Sequence, residues 1–262
     1  MKVLIKLGGT LVDNPESLAG LSTQLAALPA QEVQAVVVHG GGKQMTRYLT
    51  ERGVESKFVN GLRVTSPEVI DAVLKVFTGS VNKQLVSSLV AAGAPAVGIS
   101  GIDAALAEAR QLDPALGAVG EIIRTNPALL DVLTQNGFLP VVACVAGDRL
   151  GNVYNVNADQ MAVACAIGYR ADRLLFLTDV DGVRDGAGVT LSVLTASGAQ
   201  ALIASGAATG GMQAKLNSAC AALSGGVREV VIAPGAAPGI IQQLLAGSPV
   251  GTRLIPDPEA AQ

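Results

Sequence analysis

The chain has 262 residues, of which 50% are hydrophobic, and it carries a formal net charge of −3 at pH 7. It has no block of basic residues and only 3% aromatic residues, so we expect no nucleic-acid partner. No apolar run reaches the roughly 18 residues of a membrane span, and the first residues do not follow the pattern of a signal peptide, so we expect no membrane partner.

Cysteine and histidine usage narrows the possible chemistry further. The three cysteines, Cys144, Cys165 and Cys220, lie among apolar or small residues without metal-ligand spacing. This pattern predicts reduced, buried thiols in a cytoplasmic protein. The single histidine, His39, rules out a histidine-rich metal site. Because it stands beside three glycines at a predicted strand end, the position favours a structural or hydrogen-bonding role over that of a general base.

The first ten residues predict a strand around which the chain is organised. Val3, Leu4, Ile5 and Leu7 form an apolar run of the length of a buried strand. The Gly8-Gly9 turn that follows lets the backbone approach a ligand closely. A buried lysine is costly unless it is paired, so we expect Lys6 to lie at the carboxyl end of the strand and to face a negative group. The alternative is a surface lysine on an edge strand.

A second buried strand, 34–38, ends in His39-Gly40-Gly41-Gly42, and the helix predicted over 43–52 follows. Amide groups at a helix N terminus attract anions, so this turn predicts an anion cradle. A plain tight turn would explain one glycine but poorly explains three. The spacing does not fit a P-loop, and no GxGxxG motif follows a strand, so neither nucleotide-binding motif is present.

Strand and helix patterns alternate along the whole chain. This alternation predicts a mostly parallel central sheet covered on both faces, a three-layer αβα sandwich. Hairpins in the first half fit a substrate lobe over 1–170, and the plain repeat afterwards fits a nucleotide-binding lobe over 171–262, with one continuous sheet. Elements predicted beyond those above are helices at 15–28, 67–92, 126–136, 160–167, 197–204, 213–223 and 238–245, strands at 94–99, 139–145, 173–177, 227–233 and 251–255, hairpins within 102–123 and 148–157, and a disordered tail at 256–262.

Charged residues at predicted element ends complete the pattern. Asp159 lies in a first helical turn, where it is either functional or a capping carboxylate. Asp179 and Asp181 flank a strand end, which suits hydroxyl or metal-water contacts but also an ordinary Asx turn. Lys215 is expected in the first turn of the helix after a glycine-rich loop, where it opposes the helix dipole unless an anion lies in front. Together with Lys6, these residues favour a polyphosphate-like ligand and phosphoryl transfer, which needs mainly positioning and charge stabilisation.

Six motifs follow one another along the chain. They are Ile5-Lys6-Leu7-Gly8-Gly9, His39-Gly40-Gly41-Gly42, Asn60-Gly61-Leu62-Arg63-Val64-Thr65, Asn155-Val156-Asn157-Ala158-Asp159, Leu177-Thr178-Asp179-Val180-Asp181-Gly182-Val183 and Gly210-Gly211-Met212-Gln213-Ala214-Lys215. In this order they resemble the motifs of the amino acid kinase family, and the resemblance covers essentially the whole chain. They are most similar to those of the members that phosphorylate N-acetyl-L-glutamate in arginine biosynthesis.

The resemblance implies a role for each matching residue. Lys6 would bridge the transferring phosphoryl group, Lys215 would neutralise charge on the leaving ADP, and Asp159 would hold both lysines. Arg63 would clamp a substrate carboxylate, and amides of Gly8, Gly9 and Gly42 would face phosphates. The implied substrate-binding residues are Gly41, Gly42, Arg63 and Asn155, and the implied nucleotide-binding residues are Gly8, Gly9, Asp179, Val180, Asp181, Gly182, Val183, Arg184, Ala207, Ala208 and Thr209.

The resemblance also implies partners. The substrates would be N-acetyl-L-glutamate and ATP, with Mg²⁺ held mainly by the nucleotide and water rather than by protein ligands. Arginine-inhibited members resemble one another in an extra N-terminal helix that links dimers into hexamers. Because the first strand here starts at Lys2, we expect a homodimer that arginine does not inhibit.

Two alternatives to this activity stay open. One is a related kinase that acts on carrier-linked aminoadipate or glutamate, and the other is a catalytically silent, ligand-sensing homologue.

Overall fold

A computed structural model describes residues 1–258 of the chain. Residues 259–262 of the tail predicted to be disordered lie outside this range. Within the described part of the tail, Asp257 accepts hydrogen bonds from the backbone N–H of Ser197 at 3.1 Å and from its hydroxyl at 2.6 Å. None of the helices in residues 1–258 combines the length and the apolarity that a membrane crossing requires.

Strands and helices alternate along the described chain as predicted. The strands are β1 (Lys2–Leu7), β2 (Gln34–His39), β3 (Phe58–Val59), β4 (Leu62–Arg63), β5 (Ala96–Ser100), β6 (Ala107–Gln111), β7 (Gly120–Thr125), β8 (Leu139–Ala143), β9 (Val145–Gly147), β10 (Val153–Asn155), β11 (Arg173–Thr178), β12 (Val193–Thr195), β13 (Glu229–Pro234) and β14 (Thr252–Ile255). The α-helices are α1 (Gly9–Asp13), α2 (Pro15–Ala26), α3 (Gly42–Thr50), α4 (Pro67–Val73), α5 (Asn82–Ala91), α6 (Ala128–Gln135), α7 (Ala158–Tyr169), α8 (Ala196–Ala204), α9 (Gly210–Ser224) and α10 (Ile240–Leu245).

Eight strands form one sheet in the order β12-β14-β13-β11-β1-β2-β8-β5. All neighbours are parallel except β13 and β14. The mostly parallel sheet is therefore confirmed, and β1 lies near its centre with β11 on one side and β2 on the other. Strands of both predicted lobes belong to this one sheet.

Side chains of β1 alternate between two hydrophobic cores, one on each face of the sheet. Val3, Ile5 and Leu7 join the core formed with α2, α5 and α10. Leu4 joins the core formed with α7 and α9. Because successive strand residues point to opposite faces, Lys6 shares the face of Leu4 and points toward α7 and α9. The three-layer αβα arrangement thus fixes the direction of this lysine.

Two small sheets lie beside the main one. Four strands pair in the order β10-β9-β6-β7, and β3 and β4 form a two-stranded hairpin. The hairpin predicted within 102–123 corresponds to the antiparallel pair β6–β7, which extends to Thr125. The hairpin predicted within 148–157 corresponds to the antiparallel pair β9–β10, but its first strand, β9, lies before residue 148.

The structure corrects two predicted elements of the first half. The helix predicted over 67–92 contains a π-helical segment, Leu74–Val81, between α4 and α5. The strand predicted over 139–145 ends at Ala143, and β9 begins two residues later in the small sheet. From Val145 on, the chain pairs with β10 in the small sheet, while the Val145 carbonyl accepts a hydrogen bond at 2.7 Å from the N–H of Gly101, directly after β5.

Two further corrections concern the ends of the glycine-rich segments. A short helix, α1, starts at Gly9, where a simple turn was predicted. Helix α9 starts at Gly210 rather than at residue 213, so Lys215 lies in its second turn and not in its first. The opposition between Lys215 and the helix dipole, which falls off within the first turn, is therefore smaller than predicted.

Of the three cysteines, Cys144 and Cys165 are buried as predicted, whereas Cys220 is only partly buried.

Candidate active site

Two adjoining cavities open at the carboxyl ends of the central strands. The large cavity, of 720 Å³, is lined by the ends of β1 and β11, the first turn of α3 and Lys215. The small cavity, of 160 Å³, extends it toward β4, β10 and the start of α7. Both share the glycine run 40–42, Phe58 and Arg63. In open α/β sheets, ligands bind at this edge.

Lys6, Asp159 and Lys215 meet at the floor of the large cavity. The Lys6 Nζ lies 2.7 Å from Asp159 Oδ1, and the Lys215 Nζ lies 3.5 Å from Asp159 Oδ2. Asp159 is the second residue of α7, and the Asn157 side chain caps this helix by accepting from the N–H of Asp159 at 2.9 Å. One carboxylate therefore holds two ammonium groups, as the resemblance implied.

The two lysines decide the protonation state of Asp159. Burial alone would raise the pKa of this carboxyl group, but the opposite charges of Lys6 and Lys215 outweigh burial and hold the pKa below its usual range. The carboxylate is thus ionised at neutral pH. With Lys6 and Lys215 the cluster carries a net charge of about +1, which suits an anionic ligand.

Replacing Asp159 with asparagine is expected to destabilise the protein. It leaves two ammonium groups facing each other, with the Lys6 side chain only 10% exposed. Removing one partner of a buried ion pair costs about 3–5 kcal/mol, so the free energy of unfolding, measured in urea, should fall by an amount of this order. An unchanged free energy of unfolding would contradict the assigned pairing.

The pH dependence of stability follows from the same pair. Because the folded-state pKa of Asp159 lies below its unfolded value of 3.8, the stabilisation is present above that value and is lost as the pH falls through the folded-state pKa. The asparagine variant lacks this contribution, so the difference in stability between the two proteins should shrink in acid.

Arg63 is a buried cation at the junction of the two cavities. Only 7% of the residue is exposed. Its guanidinium donates to the Ser56 hydroxyl, to the Gly42 carbonyl at 3.1 Å and to the Thr46 hydroxyl at 2.8 Å, and it lies over the Phe58 ring. Burial lowers the pKa of Arg63. Within residues 1–258, no carboxylate forms an ion pair with it. A buried, unneutralised guanidinium of this kind is matched by an anionic ligand.

Asn155 reaches the small cavity from the end of β10. Its amide donates to the Thr65 hydroxyl at 3.1 Å, and that hydroxyl donates to the Arg63 carbonyl at 2.8 Å. The predicted substrate-binding residues Gly41, Gly42, Arg63 and Asn155 all line the small cavity. The structure thus brings this set together from three separate parts of the chain.

The glycines at the cavity rim differ in the amides that they can offer. Gly9 and Gly42 are the first residues of α1 and α3, where the N–H has no partner within the helix. The Gly8 N–H donates to the Leu177 carbonyl at 2.8 Å, because it extends the pairing of β1 with β11. Gly8 still lines the large cavity. Its amide is not free to bind phosphate, which differs from the prediction.

The remaining predicted nucleotide residues lie in two loops. Asp179, directly after β11, lines the large cavity. Within the described chain, the other eight predicted nucleotide residues line neither cavity. They are Val180, Asp181, Gly182, Val183 and Arg184 in one group and Ala207, Ala208 and Thr209 in the other. The first group forms a loop in which Val183 is fully buried and Asp181 pairs with Arg184 at 3.8 Å. The second group immediately precedes α9, whose N-cap is Thr209.

Sequence reasoning missed the polar residues that support Arg63. Thr46 and Ser56 each accept a hydrogen bond from its guanidinium, and Phe58 stacks on it. These contacts join Arg63 to residues 5 to 17 positions away, and no strand or helix period reveals them. Lys43 was also missed, although it directly follows the glycine run and lines the large cavity.

The fold and the site together define a phosphate-handling α/β protein, and sequence comparison assigns its class. The profile described as the amino acid kinase family matches residues 1–234. The chain belongs to the amino acid kinase family.

Individual relatives narrow the comparison. The chain is 64% identical to the acetylglutamate kinase of Solibacter usitatus, over 97% of this chain and 99% of that protein. It is 42% identical to the acetylglutamate kinase of Acidobacterium capsulatum, over 93% and 95% of the two chains. Among solved structures, it resembles an N-acetylglutamate synthase from Neisseria gonorrhoeae with a TM-score of 0.87 and 26% identity. The match covers 99% of this chain and spans 60% of the synthase.

Proposed function

We propose that this chain transfers the γ-phosphoryl group of ATP to the γ-carboxylate of N-acetyl-L-glutamate in arginine biosynthesis. The products are N-acetylglutamyl 5-phosphate and ADP. The observation that carries the proposal is the pairing of two lysines on one buried carboxylate beside a buried arginine that has no acidic partner among residues 1–258. The high identity to acetylglutamate kinases over nearly the full chain supports the choice of substrate.

The chain's own residues supply charge stabilisation to this reaction. A γ-carboxylate oxygen attacks the γ-phosphorus in line while the bond from that phosphorus to the bridging oxygen breaks, and ADP leaves with the electron pair. The carboxylate is already an anion, so no general base is needed. Lys6 neutralises charge on the transferring group and Lys215 neutralises charge on ADP, while Asp159 holds both lysines in place.

Arg63 orients the amino-acid substrate. Its guanidinium offers a planar fork that matches a carboxylate through two parallel hydrogen bonds. The protein groups around Arg63 are hydroxyls and a carbonyl rather than carboxylates, so its charge is left for the substrate. Gly41, Gly42 and Asn155 surround the acetylamino-acid in the same small cavity.

We place ATP in the large cavity and along the loops 179–184 and 207–209, so that the nucleotide-binding lobe is 171–262 and the substrate lobe is 1–170. Mg²⁺ would enter with the nucleotide. The donor set fits this mode, because Asp159 pairs with two lysines and, among residues 1–258, only Asp179 adds a carboxylate to the lining of the large cavity. In residues 1–258 no group of three or more His, Cys, Asp and Glu side chains is arranged to hold a metal ion. The ion would neutralise part of the negative charge on the phosphate oxygens.

A substrate panel tests the proposal. ADP release with Mg²⁺-ATP is measured for N-acetylglutamate, N-acetylaminoadipate, glutamate, aspartate, UMP and carbamate. We expect the highest kcat/KM for N-acetylglutamate. A higher kcat/KM for another acceptor would show that the protein is a related kinase with that acceptor as its substrate. No ADP release with any acceptor would favour a catalytically silent, ligand-sensing homologue. The intact lysine–aspartate–lysine cluster is the observation that speaks against the silent alternative.

We also propose a cytoplasmic homodimer. The three cysteines are unpaired, which fits a reducing compartment. Strand β5 is at the edge of the main sheet, carries no charged residue, and pairs within the described chain only with β8. Such an edge is a template for pairing with another chain. Sedimentation is expected to give the mass of two 26.3 kDa chains, and a monomer or a hexamer would contradict the proposal.

A further inference from the structure

His39, the only histidine of the chain, lies in a buried hydrogen-bond chain behind the glycine run. It is the last residue of β2 and is fully buried on the face covered by α5. Its Nδ1 lies 2.8 Å from the carbonyl oxygen of Gly40, and its Nε2 lies 3.0 Å from the Asn82 amide nitrogen. Neither contact takes part in the chemistry described above.

Asn82 determines which ring nitrogen of His39 carries the proton. The Asn82 Oδ1 accepts from the Lys83 ammonium at 3.1 Å, and its Nδ2 donates to the Val141 carbonyl at 2.9 Å. The amide orientation is therefore fixed, and Nδ2 is also the donor to His39. The His39 Nε2 must then be an acceptor, so the proton is on Nδ1 and is donated to Gly40.

The surroundings keep this arrangement neutral and in place. The pKa of His39 is lowered to about 4, because burial, with a smaller contribution from the nearby Lys83, outweighs the bond to Gly40, which raises the pKa. A Cβ on Gly98 would lie 2.0 Å from the Asn82 Oδ1, so a glycine at this position leaves room for the asparagine. The His39 carbonyl accepts from the Cys144 thiol at 2.8 Å.

The hydrogen bond to Gly40 sets the direction of a neighbouring amide. The carbonyl of Gly40 and the N–H of Gly41 belong to one planar trans peptide, so they point in opposite directions. Holding the carbonyl toward His39 turns the Gly41 N–H away from the ring. Gly41 lines both cavities, and no acceptor within residues 1–258 receives its N–H. Glycines on both sides of this peptide would otherwise let it rotate easily.

We propose that His39, held in its Nδ1–H form by Asn82, is a positioning residue that aims the Gly41 N–H at an anionic oxygen of the bound substrates. The proposal rests on the proposed function, because it needs an anionic ligand in these cavities. It goes beyond that function by assigning a role to a buried histidine that touches neither substrate.

Two substitutions separate the bonds of His39. His39→Asn places an amide nitrogen where Nδ1 was and keeps a donor for Gly40, and His39→Gln instead keeps an acceptor for Asn82. We expect the asparagine variant to retain most of the wild-type kcat/KM for N-acetylglutamate. The glutamine variant should lose about ten-fold or more, since it gives up one charge-assisted hydrogen bond to the ligand. Tyr169→Phe removes the buried bond to Thr134 at 2.9 Å, remote from the glycine run, and serves as a control that lowers only stability.

A ¹⁵N NMR spectrum of the His39 imidazole ring tests the inference without any substrate. In untagged protein labelled with ¹⁵N-histidine, the single histidine should show a protonated Nδ1 and an unprotonated Nε2, unchanged between pH 6 and pH 8 as the pKa of about 4 requires. A protonated Nε2, or equal losses of kcat/KM in both His39 variants, would overturn the proposal. Activity of the wild type with N-acetylglutamate tests the proposed function separately, so failure of one is distinguishable from failure of the other.

Discussion

Replacing Lys6 or Lys215 with methionine is expected to lower kcat by about 10²-fold or more. Both ammonium groups meet charge that develops as the phosphoryl group moves, and losing one donor of this kind costs on the order of 10²–10³ in kcat. Methionine keeps most of the aliphatic stem and removes the charge. Steady-state ADP release with saturating N-acetylglutamate and Mg²⁺-ATP measures the loss.

Stability must be measured beside activity, because Lys6 is buried and only 8% exposed. Its loss leaves Asp159 with Lys215 alone, so we expect Lys6→Met to cost about 1.5–3 kcal/mol of unfolding free energy, the value of a charged hydrogen bond. Lys75→Met is the control, since Lys75 pairs with Asp71 on the surface. Near wild-type kcat in a folded Lys6 or Lys215 variant would contradict the assigned mechanism.

Replacing Arg63 with alanine is expected to raise the KM for N-acetylglutamate by about ten- to a hundred-fold or more. Each charge-assisted hydrogen bond to the substrate carboxylate contributes roughly 1.5–3 kcal/mol. The KM for ATP should change little, because Arg63, although it also lines the large cavity, contacts no residue of the predicted nucleotide loops 179–184 and 207–209. Arg63→Lys should recover only part of the loss, since an ammonium group lacks the planar fork. Titration of each substrate at saturation of the other measures both constants.

Arg52 provides a matched control for Arg63. It too stacks on an aromatic ring, that of Tyr48, and donates to a backbone carbonyl, but it is exposed. Arg52→Ala should therefore leave both KM values unchanged. A rise confined to ATP in Arg63→Ala, or no rise in either constant, would remove Arg63 from the amino-acid site. It would also remove a main reason for preferring N-acetylglutamate over related acceptors.

The sequence predicted the sheet because the sheet follows from local patterns. Apolar runs that end in glycines mark parallel strands and their carboxyl ends, and these ends share one edge of a sheet. Lys6 stands at such an end and Asp159 at a helix start, so both were expected near one anionic ligand. That Asp159 holds both lysines was implied by the family resemblance and not by a local pattern.

Other features depend on contacts that no local pattern reports. The π-helical segment within 67–92 keeps an apolar pattern that fits an ordinary helix. The pattern of residues 139–145 predicts one strand, although Val145 pairs with Asn155 of β10 in the small sheet. Gly210 and Gly211 are weak helix formers, so the start of α9 was placed too late. The support of Arg63 by Thr46 and Ser56 arises only on folding.

The most direct test of the central claim is identification of the phosphorylated product. An acyl phosphate reacts with hydroxylamine to give a hydroxamate, which mass spectrometry identifies. With N-acetylglutamate, Mg²⁺-ATP and hydroxylamine, the wild-type chain should form the γ-hydroxamate in a one-to-one ratio with ADP, and Lys6→Met should form almost none. ADP release without hydroxamate, or no ADP release above that of the Lys6 variant, would contradict phosphoryl transfer to the γ-carboxylate.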